Sequence, residues 1–221
     1  MDIRIEDTIR QAAPGLLVVA IEADVTNGET SEELWALLNR AAADIRDITE
    51  LPDINRRPGI RATRDAYKAL GKEPNRYRPS AEALCRRVVK GMELYRINAL
   101  VDLINLVSLL SGYSIGGFDA DRIQGEVLSL GVGREGELFE AIGRGVLNIA
   151  CMPVYRDSIG GIGTPTSDNE RTKLDISTRR LLMCVNVYGE EMPVADTVRM
   201  IVDSLERFAD AKNITINYYR P

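Results

Sequence analysis

Apolar residues run through this chain in two rhythms, and the switch between them marks its elements. Leu16 to Ile21 (LLVVAI) and Leu181 to Val187 (LLMCVNV) are unbroken aliphatic and β-branched runs, which predict buried strands. Leu34, Leu37, Leu38, Ala41 and Ile45 instead recur at helical spacing behind Thr30-Ser31-Glu32-Glu33, a capping box that opens a helix. Helices are also predicted from Arg61 to Leu70, closed by Gly71, and from Val194 to Ala211, with a strand at Ile214 to Tyr218 after it. Residues 1–14 include a short amphipathic piece (Ile5, Ile9, Ala12) ended by Pro14, and Pro52 and Pro58 mark a loop over 50–59. Between Pro74 and Pro79 the chain reads as extended, and Ser80 then caps a helix through Val89. Glycines at 131, 133, 136, 143 and 145 delimit strands at Glu126–Val132, Leu138–Ile142 and Val146–Ile149. Helices and strands are interspersed without a strict βαβ alternation, which predicts an α+β fold with mixed sheets and flanking helices. No linker composition divides the chain, so residues 1–58 and 59–221 are expected to be parts of one domain.

One stretch stands apart from these rhythms. Asn98 to Leu110 is apolar on most sides, as in a helix packed on several faces, yet Asn98, Asp102 and Asn105 recur on it at spacings of four and three. A buried polar stripe has to be hydrogen-bonded, so it either pins neighbouring loops or lines a cavity. The helix stops at Ser111-Gly112, and Gly116-Gly117 follows as a turn where another group can approach the backbone closely. The stripe and the glycines together are a place for a pocket; a core helix followed by a tight turn would show the same pattern.

Composition narrows the chemistry. The chain has no histidine, which excludes Ser-His-Asp and Cys-His catalysis, HExxH metal sites and any histidine general base. Carboxylates, hydroxyls, oriented amides or a bound water are what remain, and no cofactor or metal site is expected. Cys85, Cys151 and Cys184 are isolated, odd in number and set in apolar contexts, which fits core residues in a reducing, cytoplasmic compartment. No apolar run is long enough to span a membrane, and no signal peptide is expected. The net charge of −5 disfavours nonspecific binding to nucleic acid, and DNA is not an expected partner. Yet the segment from Arg56 to Arg96 holds twelve Lys/Arg against four Asp/Glu, leaving +8 there and −13 elsewhere. Such a segment guides a polyanion to one face, or consists of solvated helix faces paired with acidic neighbours.

Three further places carry candidate chemistry. The loop GGIGTPTSD offers backbone amides, the hydroxyls of Thr164, Thr166 and Ser167, and the carboxylate of Asp168. Successive amides in such a loop can build an anion nest or an oxyanion hole, although Ser167 and Glu170 also fit a capping box. Arg144 sits between glycines, where a guanidinium can approach a ligand or a turn is simply required. Arg76-Tyr77-Arg78 places an aromatic between two cations, a surface suited to RNA bases and phosphates or to an ordinary solvated loop.

The stretch RINALVDLINLVSLLSGYSIGGFDADRIQG, flanked by AYKALGKEPNRYRPSAEALCRRV and GIGTPTSDNERT, resembles the B3/B4 domain of the phenylalanyl-tRNA synthetase beta subunit, in particular freestanding proteins of that kind. The resemblance covers about Arg61 to Tyr188. It implies a B3/B4-type fold that binds the acceptor end of tRNA and hydrolyses a wrongly attached amino acid. An aminoacyl ester needs an oriented water and an electrostatic clamp on the developing oxyanion, without a covalent nucleophile. The frame carried over is Arg96, Asn98, Asp102, Asn105, Phe118 and Asp119. Ile104 stands where the synthetase has threonine and Gly116 where it has histidine, so its own tyrosine pocket does not carry over. The resemblance implies tRNA or aminoacyl-tRNA as partner. Combined with the charge and loop patterns above, Arg76, Arg78, Arg86, Arg87 and Arg96 are expected to meet phosphates, Asn98, Asp102, Asn105, Gly116, Gly117, Arg144, Thr164 and Ser167 to surround the substrate, and Thr166 and Asp168 to act in catalysis. A noncatalytic module for RNA or a free amino acid is the alternative.

Overall fold

The computed structural model describes all 221 residues. The chain is α+β, in three layers: four helices, a four-stranded sheet beneath them, and a second four-stranded sheet beneath that. The middle sheet is antiparallel, in the order β10 (Lys212–Tyr219), β2 (Leu17–Asp24), β9 (Arg180–Val187), β3 (Ser114–Asp119). The outer sheet orders β1 (Asp2–Ile5), β4 (Val127–Val132), β7 (Pro153–Arg156) and β8 (Gly161–Gly163), with β1 and β4 parallel. A two-residue hairpin, β5 (Glu140–Ala141) and β6 (Gly145–Val146), stands apart from both.

The unbroken apolar runs follow from this layering. In β2, Leu17, Val19, Ile21 and Ala23 face the helices, while Val18 and Ala20 face the outer sheet. In β9, Leu181, Met183, Val185 and Val187 point one way and Leu182 and Cys184 the other. A strand covered on both faces loses the alternation that one wet face would impose. Each fully buried aliphatic side chain there contributes about 1.5–3 kcal/mol, so the two runs fix their strands at the centre. The N-terminal segment belongs to both sheets: β1 pairs with β4, and β2 lies between β10 and β9.

Helices α2 (Glu32–Ile48), α4 (Ser80–Val89), α5 (Ala99–Ser111) and α6 (Val194–Ala209) pack on the middle sheet, α5 against both α2 and α6. The short α1 (Asp7–Ala12) and α3 (Pro58–Ala69) reach the core between the sheets through Ile9 and Ala66. Two cap expectations are corrected. Ser31, not Thr30, caps α2 by accepting the Leu34 N–H at 3.2 Å, because the Thr30 hydroxyl is already committed to Asp102. Pro79 occupies the N-cap of α4, and the Ser80 N–H instead donates to the Pro165 carbonyl at 2.7 Å. That bond ties the start of α4 to the Thr164–Asp168 loop. Asn98, read in the sequence only as part of a polar stripe, caps α5 by accepting the Val101 N–H at 3.0 Å, and Gly112 closes that helix at φ +74°.

Gly116 and Gly117 are not a turn; they lie within β3, and neither has positive φ. What they supply is room. A Cβ on Gly117 would lie 2.4 Å from Ile104 Cδ1 and 2.9 Å from Leu174 Cδ1, and one on Gly116 would lie 2.7 Å from Phe118 Cζ. Strands β1, β7 and β8 are too short to show a period; their pairing, not their pattern, makes them strands. The predicted strands at Leu138–Ile142 and Val146–Ile149 shrink to the β5–β6 hairpin. Cys85 and Cys184 are core residues, whereas Cys151 is only half-buried and sits at φ +62°.

Candidate functional site

A cavity of about 470 Å³ lies between α5, the start of α4, β3 and the segments on either side of residue 170. On α5 it is faced by Val101, Ile104, Asn105 and Ser108, at offsets of three, one and three that place them on one side of the helix. Its deeper wall is apolar, from Ile104, Ile115 and Leu174. The side chains of Asn105 and Ser108 have no hydrogen-bond partner within the protein, although Ser108 is almost fully buried, so both offer free polar groups to the cavity.

Of the predicted polar stripe, Asn98 and Asn105 reach the cavity and Asp102 does not. Asp102 is turned away from the cavity, and its carboxylate accepts from the Thr30 hydroxyl at 2.5 Å and from the Ile97 N–H at 3.2 Å. Burial raises its pKa, against the pull of those two bonds and of Arg96. It is a tie between the entries to α2 and α5.

Asp168 reaches the cavity alone among the predicted loop residues. Its carboxyl occupies a slot between two glycine backbones: a Cβ on Gly163 would lie 2.8 Å from Oδ1, and one on Gly116 3.4 Å away. Oδ2 accepts the Gly117 N–H at 3.1 Å, and no Lys or Arg pairs with the group. Enclosure without a cation pushes its pKa up to about 7, the single amide bond opposing. The carboxyl thus changes charge near neutral pH at the wall of a cavity, the property expected of a group that takes up and returns protons.

The hydroxyls of the same loop are spent on its own architecture. Thr164 Oγ1 donates to the Ser167 carbonyl at 3.0 Å and accepts the Thr166 and Ser167 N–H groups, each at 3.1 Å. Thr166 Oγ1 lies 2.8 Å from the Tyr67 hydroxyl and is buried away from the cavity. Ser167 Oγ donates weakly to the Asp168 carbonyl at 3.3 Å. These bonds hold the loop in shape, and Thr166, expected in catalysis, does not line the cavity. Gly116 likewise acts by leaving space, while Gly117 borders the cavity directly.

Arg76, Arg78, Arg86, Arg87 and Arg144 come together in a second hollow, of about 260 Å³, with Lys90. Nothing in the sequence linked Arg144 to this group; the β5–β6 hairpin brings it there. Arg86 and Arg78 turn towards Glu82, at 2.8 and 3.7 Å. Arg76, Arg87, Lys90 and Arg144 have no acidic partner, which leaves a concentrated positive field facing solvent. Arg96 is the exception. It binds the Thr30 carbonyl, pairs with Glu32 at 2.8 Å and lies over the Trp35 ring, securing the start of α2 away from the basic hollow. The Tyr77 ring carries the Lys72 ammonium at 3.7 Å from its centroid, so that face is not open to a base.

Cavity and basic hollow share their walls. Ser80 and Leu84 of α4 face the cavity, and Ala83, Arg86 and Arg87 of the same helix face the hollow. The hairpin gives Ile142 to one and Arg144 to the other. None of the helices is long and apolar enough to cross a membrane.

A sequence model of the B3/4 domain matches residues 62–209. Phenylalanine–tRNA ligase beta subunits of Bartonella henselae and Bartonella quintana are 36% and 37% identical to the chain over 121 residues, covering 51% of it. The chain spans only 14% of the length of each. An N-terminal fragment of the phenylalanyl-tRNA synthetase beta subunit from Pyrococcus horikoshii superposes with a TM-score of 0.51 at 13% identity. That match covers 100% of this chain and 54% of the fragment, and it is a likeness of fold.

Proposed function

The chain belongs to the B3/4 domain family, and on that premise we propose that it binds the acceptor end of tRNA and hydrolyses mischarged aminoacyl-tRNA. The observation that carries this reading is the shared wall between a cationic hollow and a cavity holding one enclosed, unpaired carboxyl. Phosphates of the acceptor end lie along Arg76, Arg87, Lys90 and Arg144, and the aminoacyl group enters the cavity beside α5.

Asp168 in its ionised form orients a water and accepts its proton as the water oxygen attacks the ester carbonyl carbon. The bond from that carbon to the ribose oxygen then breaks, and the proton passes to the ribose oxygen, releasing a free amino acid and an uncharged tRNA. The carboxamides of Asn98 and Asn105 and the hydroxyl of Ser108 are the donors available to the developing oxyanion. No nucleophilic side chain is needed, in keeping with a chain that has no histidine.

The test is release of amino acid from a panel of correctly and wrongly charged tRNAs by the purified protein. Release of one or a few amino acids above the buffer rate, lost in Asp168→Asn with tRNA affinity kept, is the expected result. Binding without release from any member of the panel assigns the chain to the noncatalytic alternative.

A further inference from the structure

Three large aliphatic side chains stand exposed around the mouth of the cavity: Ile97 at 57%, Ile142 at 40% and Ile176 at 66% of full accessibility. They come from three separate segments, ahead of α5, just after β5 and ahead of β9, and converge on one opening. Single exposed aliphatics are ordinary on a protein surface; three around one mouth form a patch with a use. Their backbones are also fixed. The Ile97 N–H donates to Asp102 at 3.2 Å, the Ile142 N–H to the Asp168 carbonyl at 3.1 Å, and the Ile176 carbonyl accepts from Arg179 at 3.0 Å. A pinned backbone under a solvated aliphatic side chain is preorganised for contact.

We infer that Ile97, Ile142 and Ile176 form an aliphatic clamp for the base of a 3′-terminal nucleotide. This rests on the tRNA reading above. The argument is one of reach and charge. Ile142 and Arg144 are two residues apart in one hairpin, within about 7 Å along the chain, so a nucleotide with its base on the first sets its phosphate against the second. One face of Tyr77 carries Lys72 and one face of Tyr95 carries Arg87, at 3.7 and 4.2 Å from the ring centroids, and neither ring lines the cavity. Apolar contact with a base at the cavity mouth therefore falls to the isoleucines. The charged groups at the rim are also committed, Lys173 to Glu170 and Asp175 to Arg122, and the free groups of Asn105 and Ser108 are those assigned above to the oxyanion. The clamp accordingly holds the flat face of the base and does not read its edge, and purine and pyrimidine ends are both accepted.

Fluorescence anisotropy separates the possibilities, using an RNA hairpin with a single-stranded 3′ end that terminates in adenosine. The comparison RNA is identical but for an abasic terminal ribose. The wild-type protein is expected to bind the abasic RNA about tenfold more weakly, the scale of burying part of one base face. The triple variant Ile97→Ser, Ile142→Ser, Ile176→Ser is expected to bind both RNAs at that weaker level. Its thermal melt stays unchanged, because all three side chains are exposed. Equal binding of the two RNAs by the wild-type protein overturns the clamp and leaves tRNA binding standing. Absence of binding to either RNA overturns the clamp together with the reading beneath it. A wild-type oligomer that the triple variant dissolves, with RNA affinity unchanged, assigns the rim to a second copy of the chain and overturns the clamp.

Discussion

Two carboxylates, the fully buried Glu82 on α4 and the half-buried Asp168 beside β3, are treated in opposite ways. Glu82 is fully buried and surrounded by guanidinium groups: Arg64 and Arg86 at 2.8 Å and Arg78 at 3.7 Å. Asp168 receives a single backbone N–H and no cation. Burial by itself therefore does not mark a functional group here; missing compensation does. Glu82 holds arginines in place at the edge of the basic hollow. Asp168 is left to titrate near neutrality at the wall of an open cavity.

The largest expected effect comes from removing the uncompensated group. Asp168→Asn is expected to lower deacylation by about 10²–10⁴-fold, the usual contribution of a positioned acid–base group, with tRNA affinity kept. Its stability should also depend less on pH. Folding raises the Asp168 pKa from the ordinary carboxylate range to about 7, so the wild-type protein loses stability as pH rises from about 4 to about 7. The Asn variant does not, and a series of thermal melts across that window shows the difference. In the same window wild-type turnover should rise with pH, because only the ionised form accepts a proton from water.

Glu82→Gln sharpens the contrast from the other side. It leaves Arg64 buried without a counter-charge and is expected to cost about 3–5 kcal/mol in denaturant unfolding. If it proved neutral in stability while Asp168→Asn destabilised the fold, the assignment of structural and functional carboxylates would be reversed.

Smaller effects belong to the hollow and the loop. Arg76→Glu combined with Arg144→Glu is expected to weaken tRNA binding at least tenfold. It should also flatten the slope of log affinity against log salt by about two, one for each lost phosphate contact. The smallest effect is that of Thr166→Val, which removes a buried hydrogen bond to Tyr67 and should cost about 1 kcal/mol with turnover unchanged. Loss of turnover in that variant at normal stability would return Thr166 to the site.

Much of the frame was legible because it rests on local signals. The runs at Leu16 and Leu181, the helical spacing from Leu34 and the apolar helix from Asn98 to Leu110 all describe elements that exist. The glycines at 116 and 117 were legible as necessary but not for the right reason: the chain cannot announce that Ile104, Leu174 and Phe118 will press against them. The loop at 164–168 carried four candidate polar groups, and only one of them faces the cavity. A hydroxyl that will bond to Tyr67, ninety-nine positions away, looks the same in sequence as one that will meet a ligand.

The sequence by itself determined the central strands and the main helices, through runs and periods that each carries within its own residues. It also determined the chemistry excluded, since a chain without histidine has few ways to move a proton near neutral pH. The tertiary structure alone decided which side of α5 faces a cavity, which carboxylate goes without a cation, and that Arg144 joins arginines more than fifty positions earlier. Those are properties of what surrounds a side chain, and the surroundings are assembled from distant segments whose approach no local pattern encodes.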